Sequence, residues 1–200
     1  MSGISDSSEK KSGKVINLFE SLDGAEYIEL KRPQILERLV EVGLSLSDEN
    51  SYENLLQKMT DYGLEIGNCE GISIYRVKKK YIMFMTSRNK LLEKREKNKS
   101  SSFVGNMIPI DSETISGYCA STGKIIKIDD VYKLPEDSPY KFNPSYDNMV
   151  NYRSRSMVVI PMLDTKGNVL GVMQFINFLD RGQVRSFPDE LVHYLKALAN

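Results

Sequence analysis

The apolar positions in the last quarter of the chain predict a β-hairpin. Residues 156–160 and 169–177 form two apolar runs that are rich in β-branched side chains. The polar segment 164–168 lies between them and carries Gly167 where a turn needs a positive φ. Both runs are too continuously apolar for a strand with one solvated face. We therefore place this hairpin at the centre of a sheet that is covered on both sides.

Two amphipathic helices are predicted ahead of the sheet. Pro33 suits the first turn of the first helix, and the second helix stops at Gly67. Residues 1–30 are mostly polar, and we expect a disordered or weakly helical tail there. The apolar residues at helical spacing are Ile35, Leu39, Val42 and Leu46 in the first helix and Leu55, Met59, Tyr62 and Ile66 in the second.

Shorter elements complete the predicted fold. Strands are expected at residues 72–77, 81–86, 103–110 and 124–128, a short helix at 114–122, and a last helix from Ser186 onward. This order predicts an α+β sandwich. Its central antiparallel sheet has helices on one face, and loops plus the short helix on the other.

The segment 129–150 has no regular period and contains three prolines and several tyrosines, including Tyr132. A long irregular segment inside a compact domain is typical of a binding loop or lid. We call residues 129–150 the lid. Because it must fold back over one face of the sheet, it is expected to cover a pocket there.

Composition excludes several classes of function. Lys+Arg and Asp+Glu number 27 each, so no net charge favours nucleic acid or an anionic membrane. Neither a transmembrane run nor a secretory signal is present in the sequence. One histidine, His193, and two distant cysteines, Cys69 and Cys119, offer no metal or catalytic set. We expect a cytoplasmic protein with reduced cysteines, no cofactor and no catalytic residues in these 200 positions.

The residues expected around the lid suit a small anion. The start of the helix at Thr114, Ile115 and Ser116 presents unpaired N–H groups that attract negative charge. The lid adds aromatic rings and Asp147. Strand alternation places two more polar side chains on this face, and one enters from the start of the hairpin: Ser73, Tyr75 and Ser154. Such a set suits a nucleotide with one phosphate charge; alternatively, these residues only fill a cavity.

Four stretches in order resemble a known family: residues 115–124, 128–132, 152–162 and 171–177. They are similar to the GAF domains of bacterial cyclic-di-GMP enzymes (diguanylate cyclases and HD-type phosphodiesterases), nucleotide cyclases and cyclic-nucleotide phosphodiesterases. Residues 87–89 and 144–147 fit the same group. The resemblance covers roughly residues 50–200. Together with the preceding helices it predicts one GAF domain at 31–200 after the tail, and the last helix leads into an output domain.

The resemblance implies a sensor that binds a cyclic mononucleotide, cAMP ahead of cGMP, and controls that output domain. A diguanylate cyclase or cyclic-di-GMP phosphodiesterase is the output it favours. It matches Ser73, Ile115 and Ser116 to ligand-contacting positions. With the aromatic and lid positions, the predicted ligand-binding set becomes Ser73, Tyr75, Ile115, Ser116, Tyr132, Asp147, Val150 and Ser154.

The chain departs from the cyclic-nucleotide signature at two positions. Phe178 stands where the signature has a lysine after Asn177, so the lysine–aspartate salt bridge that shapes the lid in the family is missing. Val150 replaces a more usual small polar residue.

Two alternatives remain beside the cyclic-nucleotide sensor. One is a ligand-free GAF domain that acts as a dimerising signal relay. The other is a free methionine sulfoxide reductase of GAF fold that uses Cys69 or Cys119. A homodimer through the apolar stripes of the terminal helices, at 35–46 and 191–198, is expected for the sensor as well, or these stripes pack within one chain.

Overall fold

One antiparallel sheet organises the molecule. The computed structural model describes residues 24–95, 105–111 and 113–200. Among these residues the strand order is β3-β2-β1-β6-β5-β4, and β7 pairs with the far end of β6. The strands are β1 (Cys69–Lys78), β2 (Tyr81–Asn89), β3 (Met107–Pro109), β4 (Ile126–Ile128), β5 (Met157–Leu163), β6 (Val169–Asp180) and β7 (Gln183–Arg185).

The predicted hairpin is confirmed as β5 and β6, inside the sheet. β6 pairs with β5 on one side and with β1 on the other. The turn between β5 and β6 contains Gly167 at φ 85°. Val158, Val159, Ile160, Met173 and Phe175 are fully buried. Both faces are therefore covered, as the continuous apolar runs predicted.

Helices and lid form the two layers on either side of the sheet. The helices are α1 (Gly24–Ser47), α2 (Tyr52–Ile66), α3 (Lys90–Arg95), α4 (Ile115–Thr122), α5 (Ser145–Val150) and α6 (Asp189–Ala199). Residues of α1, α2 and α6 pack on one face of the sheet, and α4, β4 and the lid on the other. The predicted α+β sandwich is therefore confirmed. Among the described residues, no helix has the length and apolarity that a membrane span requires.

The predicted start of the first helix at Pro33 is wrong. The helix spans Gly24–Ser47, and Pro33 lies inside it. Pro33 is solvent-exposed, so its ring does not disturb the core. The parts of the helix before and after Pro33 are both held by tertiary contacts. Ile28 and Val42 are 2% exposed, and Arg32 forms an ion pair with Glu190 of α6. Tertiary packing thus outweighs the local cost of the proline.

The predicted apolar stripes of the terminal helices pack within the chain. Val42, Leu191, Leu195 and Leu198 are buried, and Ile35, Leu39 and Leu46 pack against the same core. Another set of apolar side chains on α1 points outward: Leu36, Val40 and Leu44, with exposures of 48%, 65% and 66%. An interface on α1 would use these three residues, whereas the other stripe already has its partners.

The lid has more regular structure than its sequence predicted. It contains a 3₁₀ turn, Val131–Lys133, and the short helix α5. The 3₁₀ turn lies near the start of the lid, and α5 lies at its end, where the chain returns to β5. The strand predicted at 103–110 is observed as the shorter β3, and Phe103 and the 96–104 segment lie outside the described residues.

Candidate ligand pocket

A cavity of about 540 Å³ lies between the sheet and the lid. Its floor comes from β1, β2 and β6, one wall from the start of α4, and its cover from lid residues 141–149. Of the predicted ligand-binding residues, six line it: Ser73, Tyr75, Ile115, Ser116, Asp147 and Ser154. The cavity is large enough for a mononucleotide, because its volume falls in the range of typical ligand sites.

Hydroxyl and amide groups connect the floor of the cavity. Ser73 Oγ donates to Ser87 Oγ at 3.1 Å, which joins β1 to β2. Tyr75 Oη and Ser116 Oγ both donate to Gln174 Oε1, at 3.2 and 2.8 Å. Burial raises the pKa of Tyr75 to about 12, so this hydroxyl remains a donor at neutral pH. The floor is thus a polar strip of uncharged groups within largely apolar surroundings.

The start of α4 is capped and tightly packed. Thr114 Oγ1 accepts from the Gly117 amide at 3.0 Å, which satisfies one of the first N–H groups of the helix. Gly117 is needed there because a Cβ would come within 2.4 Å of the Pro109 carbonyl oxygen. The amides of Ile115 and Ser116 precede the first helical hydrogen bonds, and both residues line the cavity. This end of the cavity therefore favours an acceptor or an anion.

Asp147 fastens the lid from inside. Its Oδ2 accepts from the Ser154 amide at 2.7 Å and from Tyr132 Oη at 2.8 Å, and its Oδ1 accepts from Ser154 Oγ at 2.9 Å. The residue is only 2% exposed. The carboxylate thus binds three donors of its own chain, and its role in this arrangement is to hold α5 against the start of β5.

Tyr132 and Val150 do not line the cavity. Tyr132 lies on the outer side of the lid, where the Arg153 guanidinium sits 4.1 Å from its ring centroid and Phe142 packs edge-on at 4.9 Å. Val150 is the last residue of α5 and is half-buried. The structure therefore places these two predicted site residues in the support of the lid, away from the cavity wall.

Gln174 is one of the cavity residues that the sequence prediction missed. It lies on the same face of β6 as Val172 and Ile176, within the apolar run. Its signal in the sequence is that it is the one polar side chain between Val169 and Ile176. Phe142 and Tyr146 of the lid also line the cavity and were not singled out.

Among the described residues, two cationic side chains lie at the cavity rim, and both have carboxylate partners. Arg88 donates from Nε and Nη2 to Glu93 at 3.0 and 3.1 Å and also pairs with Asp61. Lys141 of the lid lies 4.0 Å from Glu113. Of these two, Lys141 is the more loosely held, because a 4.0 Å separation is at the limit of an ion pair and its side chain is largely exposed.

A second polar cluster lies where the lid meets β1 and β6. Asn177, at φ 58°, donates from Nδ2 to Glu70 at 2.8 Å, to Tyr152 Oη at 2.9 Å and to the Arg153 carbonyl at 2.9 Å. Tyr152 Oη in turn donates to Glu70 at 2.7 Å. This cluster fixes the chain just after the lid to the sheet.

The two cysteines lie on opposite faces of the sheet. Cys69 packs among the helices and Cys119 under the lid, and both are fully buried. Burial raises the pKa of each thiol to about 12. Neither thiol is therefore a thiolate at neutral pH, which is the form that peroxide and disulfide chemistry require.

We expect neither cysteine to react with iodoacetamide in the folded protein at pH 8, and both to react after denaturation.

The raised pKa values of the two thiols also determine the direction in which folding stability changes at alkaline pH. The thiols stay protonated in the folded state and ionise above pH 9 when unfolded, so stability falls as pH rises from about 9 to 12. Intact-mass labelling and thermal melts across this range measure both effects. Rapid labelling of the folded protein would contradict the assignment.

Comparison with known proteins agrees with the fold. The family model "GAF domain" matches residues 51–200. A dual 3',5'-cyclic-AMP and -GMP phosphodiesterase 11 of Drosophila melanogaster is 33% identical over 78 residues, which are 39% of this chain and 5% of that protein.

Two solved structures have the same fold. The GAF domain of a phosphoenolpyruvate-protein phosphotransferase from Coxiella burnetii superposes with TM-score 0.64 at 16% identity, over 82% of this chain and 88% of that one. A free methionine-R-sulfoxide reductase from Neisseria meningitidis gives TM-score 0.59 at 18% identity, over 82% and 83%. GAF domains are in general regulatory, and some neighbours belong to enzymes. The chain therefore belongs to the GAF family and is a sensor domain of that family.

Proposed function

We propose that this GAF domain binds a cyclic mononucleotide, with cAMP preferred to cGMP, in the cavity beneath the lid. The observation that carries the proposal is the match between cavity and ligand. About 540 Å³ of space has the first amides of α4 at one end, uncharged polar groups on its floor and aromatic side chains in its cover. A ribose and base need hydrogen-bonding and stacking groups, and a single phosphate charge is suited by helix N–H donors.

The partial similarity to a cyclic-nucleotide phosphodiesterase supports the same ligand class. Because the match covers 5% of that protein, its activity carries no weight here. We further propose that ligand binding controls an attached output domain, a diguanylate cyclase or a cyclic-di-GMP phosphodiesterase. Control of that kind requires that the ligand binds the open and closed lid with different affinity.

Thermal melting with a nucleotide panel tests the proposal. A ligand at 100 times its dissociation constant stabilises the folded state by about 2.7 kcal/mol, or roughly 5 to 10 °C for a domain of this size. We expect the largest shift with cAMP, a smaller one with cGMP, and little with 5'-AMP or cyclic-di-GMP. An absence of any shift with cAMP and cGMP at millimolar concentration would contradict the proposal.

A second candidate function, dimerisation, is favoured by the outward face of α1. Leu36, Val40 and Leu44 are exposed on that face, and no atom of the described residues lies within 4 Å of where a Cβ would stand on the adjacent Gly43. The occupant we propose is a second copy of this chain. In an antiparallel pair centred on Val40, Leu36 faces Leu44 of the other copy, so the same surface serves both chains.

Light scattering after size exclusion tests the dimer. We expect a dimer for the unmodified chain and a monomer for Val40→Glu, because a charge at the centre of the pair would be buried without a partner. The matched control is Leu170→Glu, which changes another exposed apolar residue, on β6, and should remain dimeric. A monomeric unmodified chain at 100 μM, or a dimeric Val40→Glu variant, would contradict this candidate.

A further inference from the structure

Three charged side chains line the cavity beneath the lid, among the residues that the structure describes: Arg88, Asp147 and Lys141. The ligand proposed above carries one negative charge, and a charge taken from water into a closed site is costly unless an opposite charge meets it. The affinity of the cavity for an anion therefore depends on which of these groups is free to pair with it. Each already has contacts within the chain, and these contacts differ in strength.

Asp147 and Arg88 are committed to partners of their own chain. The Asp147 carboxylate is 2% exposed and accepts three hydrogen bonds, so it remains in the cavity wall as a negative charge. The Arg88 guanidinium donates to both carboxylate oxygens of Glu93, at 3.0 and 3.1 Å, and also pairs with Asp61. A guanidinium that holds two carboxylates is more than neutralised, and a ligand phosphate would have to displace one of them.

Lys141 is held far more loosely than Arg88. Its Nζ lies 4.0 Å from Glu113 Oε2, and the two side chains are 80% and 71% exposed. An ion pair at that distance and exposure contributes little, because water and salt screen it. The lysine stem is flexible, so its ammonium can turn to a new partner without a change in the backbone.

The position of Lys141 brings this ammonium close to the start of α4. Lys141 lies in the lid and lines the cavity, and its partner Glu113 directly precedes Thr114, the N-cap of the helix. The first two helical residues, Ile115 and Ser116, line the cavity as well. A phosphate at this end of the cavity would therefore lie between the lid and the helix, with the lysine beside it.

We propose that Lys141 is the ionic partner of the ligand phosphate, and that it exchanges Glu113 for the phosphate when the nucleotide binds. This inference rests on the proposed function of the cavity and names the residue that selects for the charged part of the ligand. The exchange also draws the lid toward α4, because the cation belongs to the lid and the phosphate lies against the helix. Lys141 thereby favours anionic ligands over neutral ones of the same size.

A charge series at position 141 tests the exchange by calorimetric titration with cAMP. We expect Lys141→Arg to bind within about threefold of the unmodified chain, Lys141→Met about tenfold more weakly, and Lys141→Glu more weakly still. Raising NaCl from about 50 to about 500 mM should weaken cAMP binding to the unmodified chain about threefold. The same change should affect Lys141→Met less than about twofold, because the screened pair is missing there.

Lys133 offers a matched control on the same lid. Its side chain is 79% exposed and its Nζ lies 4.0 Å from Asp130, so its exposure and pairing distance match those of Lys141. Unlike Lys141, it is not among the described residues that line the cavity. Lys133→Met and Lys133→Glu should therefore leave cAMP affinity within about twofold. All variants at both positions change exposed side chains and should melt within about 2 °C of the unmodified chain, so a loss of affinity reports binding.

Glu113→Gln tests the partner that Lys141 leaves. Without this carboxylate, the ammonium no longer has to break an ion pair before it binds phosphate, and a negative charge close to the phosphate is gone. We expect cAMP affinity to rise about two- to fivefold. An equal or lower affinity in this variant would contradict the exchange of partners.

Two results would overturn the role of Lys141 and leave the function of the cavity standing. In the first, the unmodified chain binds cAMP, and the Lys141 variants bind it as well as the Lys133 variants do. In the second, Lys141→Arg loses as much affinity as Lys141→Glu, so that the residue acts through its shape and not its charge. If the unmodified chain binds neither cAMP nor cGMP, the proposed function fails and this inference with it.

Discussion

Replacement of Asp147 by alanine is expected to release the lid from the sheet and to weaken nucleotide binding at least tenfold. The carboxylate accepts three hydrogen bonds, two from Ser154 and one from Tyr132, and it is almost fully buried. Without it, the Ser154 amide and hydroxyl lose their acceptor in a site closed to water. The expected loss of folding stability is about 3 kcal/mol, since bonds to a charged acceptor exceed those between neutral groups.

The control for this variant lies in the same lid. Asp137 is exposed, so Asp137→Ala removes the same charge without removing an anchor and should change stability by less than about 0.5 kcal/mol. Asp147→Asn should fall between the two, because its oxygen can still accept from one donor. Urea unfolding gives the stabilities and cAMP titration the affinities. Equal values for Asp147→Ala and Asp137→Ala would contradict the role of Asp147 as an anchor.

Replacement of Phe178 by lysine is expected to destabilise the fold by about 4 kcal/mol or more. Lysine is the residue of the family signature at this position, so by resemblance alone the change would restore a salt bridge. In this chain Phe178 is 1% exposed and packs against Phe187 with ring centroids 5.6 Å apart. Loss of a buried aromatic ring costs about 3 to 5 kcal/mol, and an unpaired charge among apolar groups costs more.

Leu170→Lys is the matched control for Phe178→Lys. Leu170 lies on the same strand, β6, but is 54% exposed, so a lysine there remains in water. We expect a change within about 0.5 kcal/mol for this control. Denaturant unfolding of the two variants side by side gives the change in the free energy of unfolding for each. If Phe178→Lys were as stable as Leu170→Lys, position 178 would tolerate the signature lysine and the account of the Phe178–Phe187 contact would be wrong.

The elements that the sequence predicted well are those whose local signals agree with their tertiary surroundings. The β5–β6 hairpin has a turn glycine between apolar runs, and α4 has Thr114 as its N-cap and Gly123 as its left-handed C-cap. The alternation of Ser73 and Tyr75 on one face of β1 also followed from strand geometry. In each case the residues nearby in sequence were enough to decide the structure.

Other features depended on contacts between residues distant in sequence. Pro33 inside α1 is tolerated because residues on both sides of it pack against the rest of the chain, which no local pattern shows. Asp147 lines the cavity as expected, but its hold on the lid through Tyr132 and Ser154 could not be predicted from the sequence. Gln174 reads as one polar residue in an apolar strand, and only the positions of Tyr75 and Ser116 show that its amide oxygen accepts from both of their hydroxyls. Of the six predicted residues that line the cavity, four lie on a regular strand or at a helix start, whereas Asp147 lies in α5 and Ser154 just before β5.

Hydrogen–deuterium exchange of the 200-residue chain, with and without saturating cAMP, tests the central claim most directly, because it reports both binding and its place. The account predicts slower exchange in residues 114–118 and 141–154, which surround the cavity, and unchanged exchange in the Tyr81 end of β2 and in the turn at 164–168. The Asp147→Ala variant should show faster exchange in residues 141–154 without ligand. Unchanged exchange around the cavity at millimolar cAMP, or protection confined to another part of the molecule, would contradict a cyclic-nucleotide site beneath the lid.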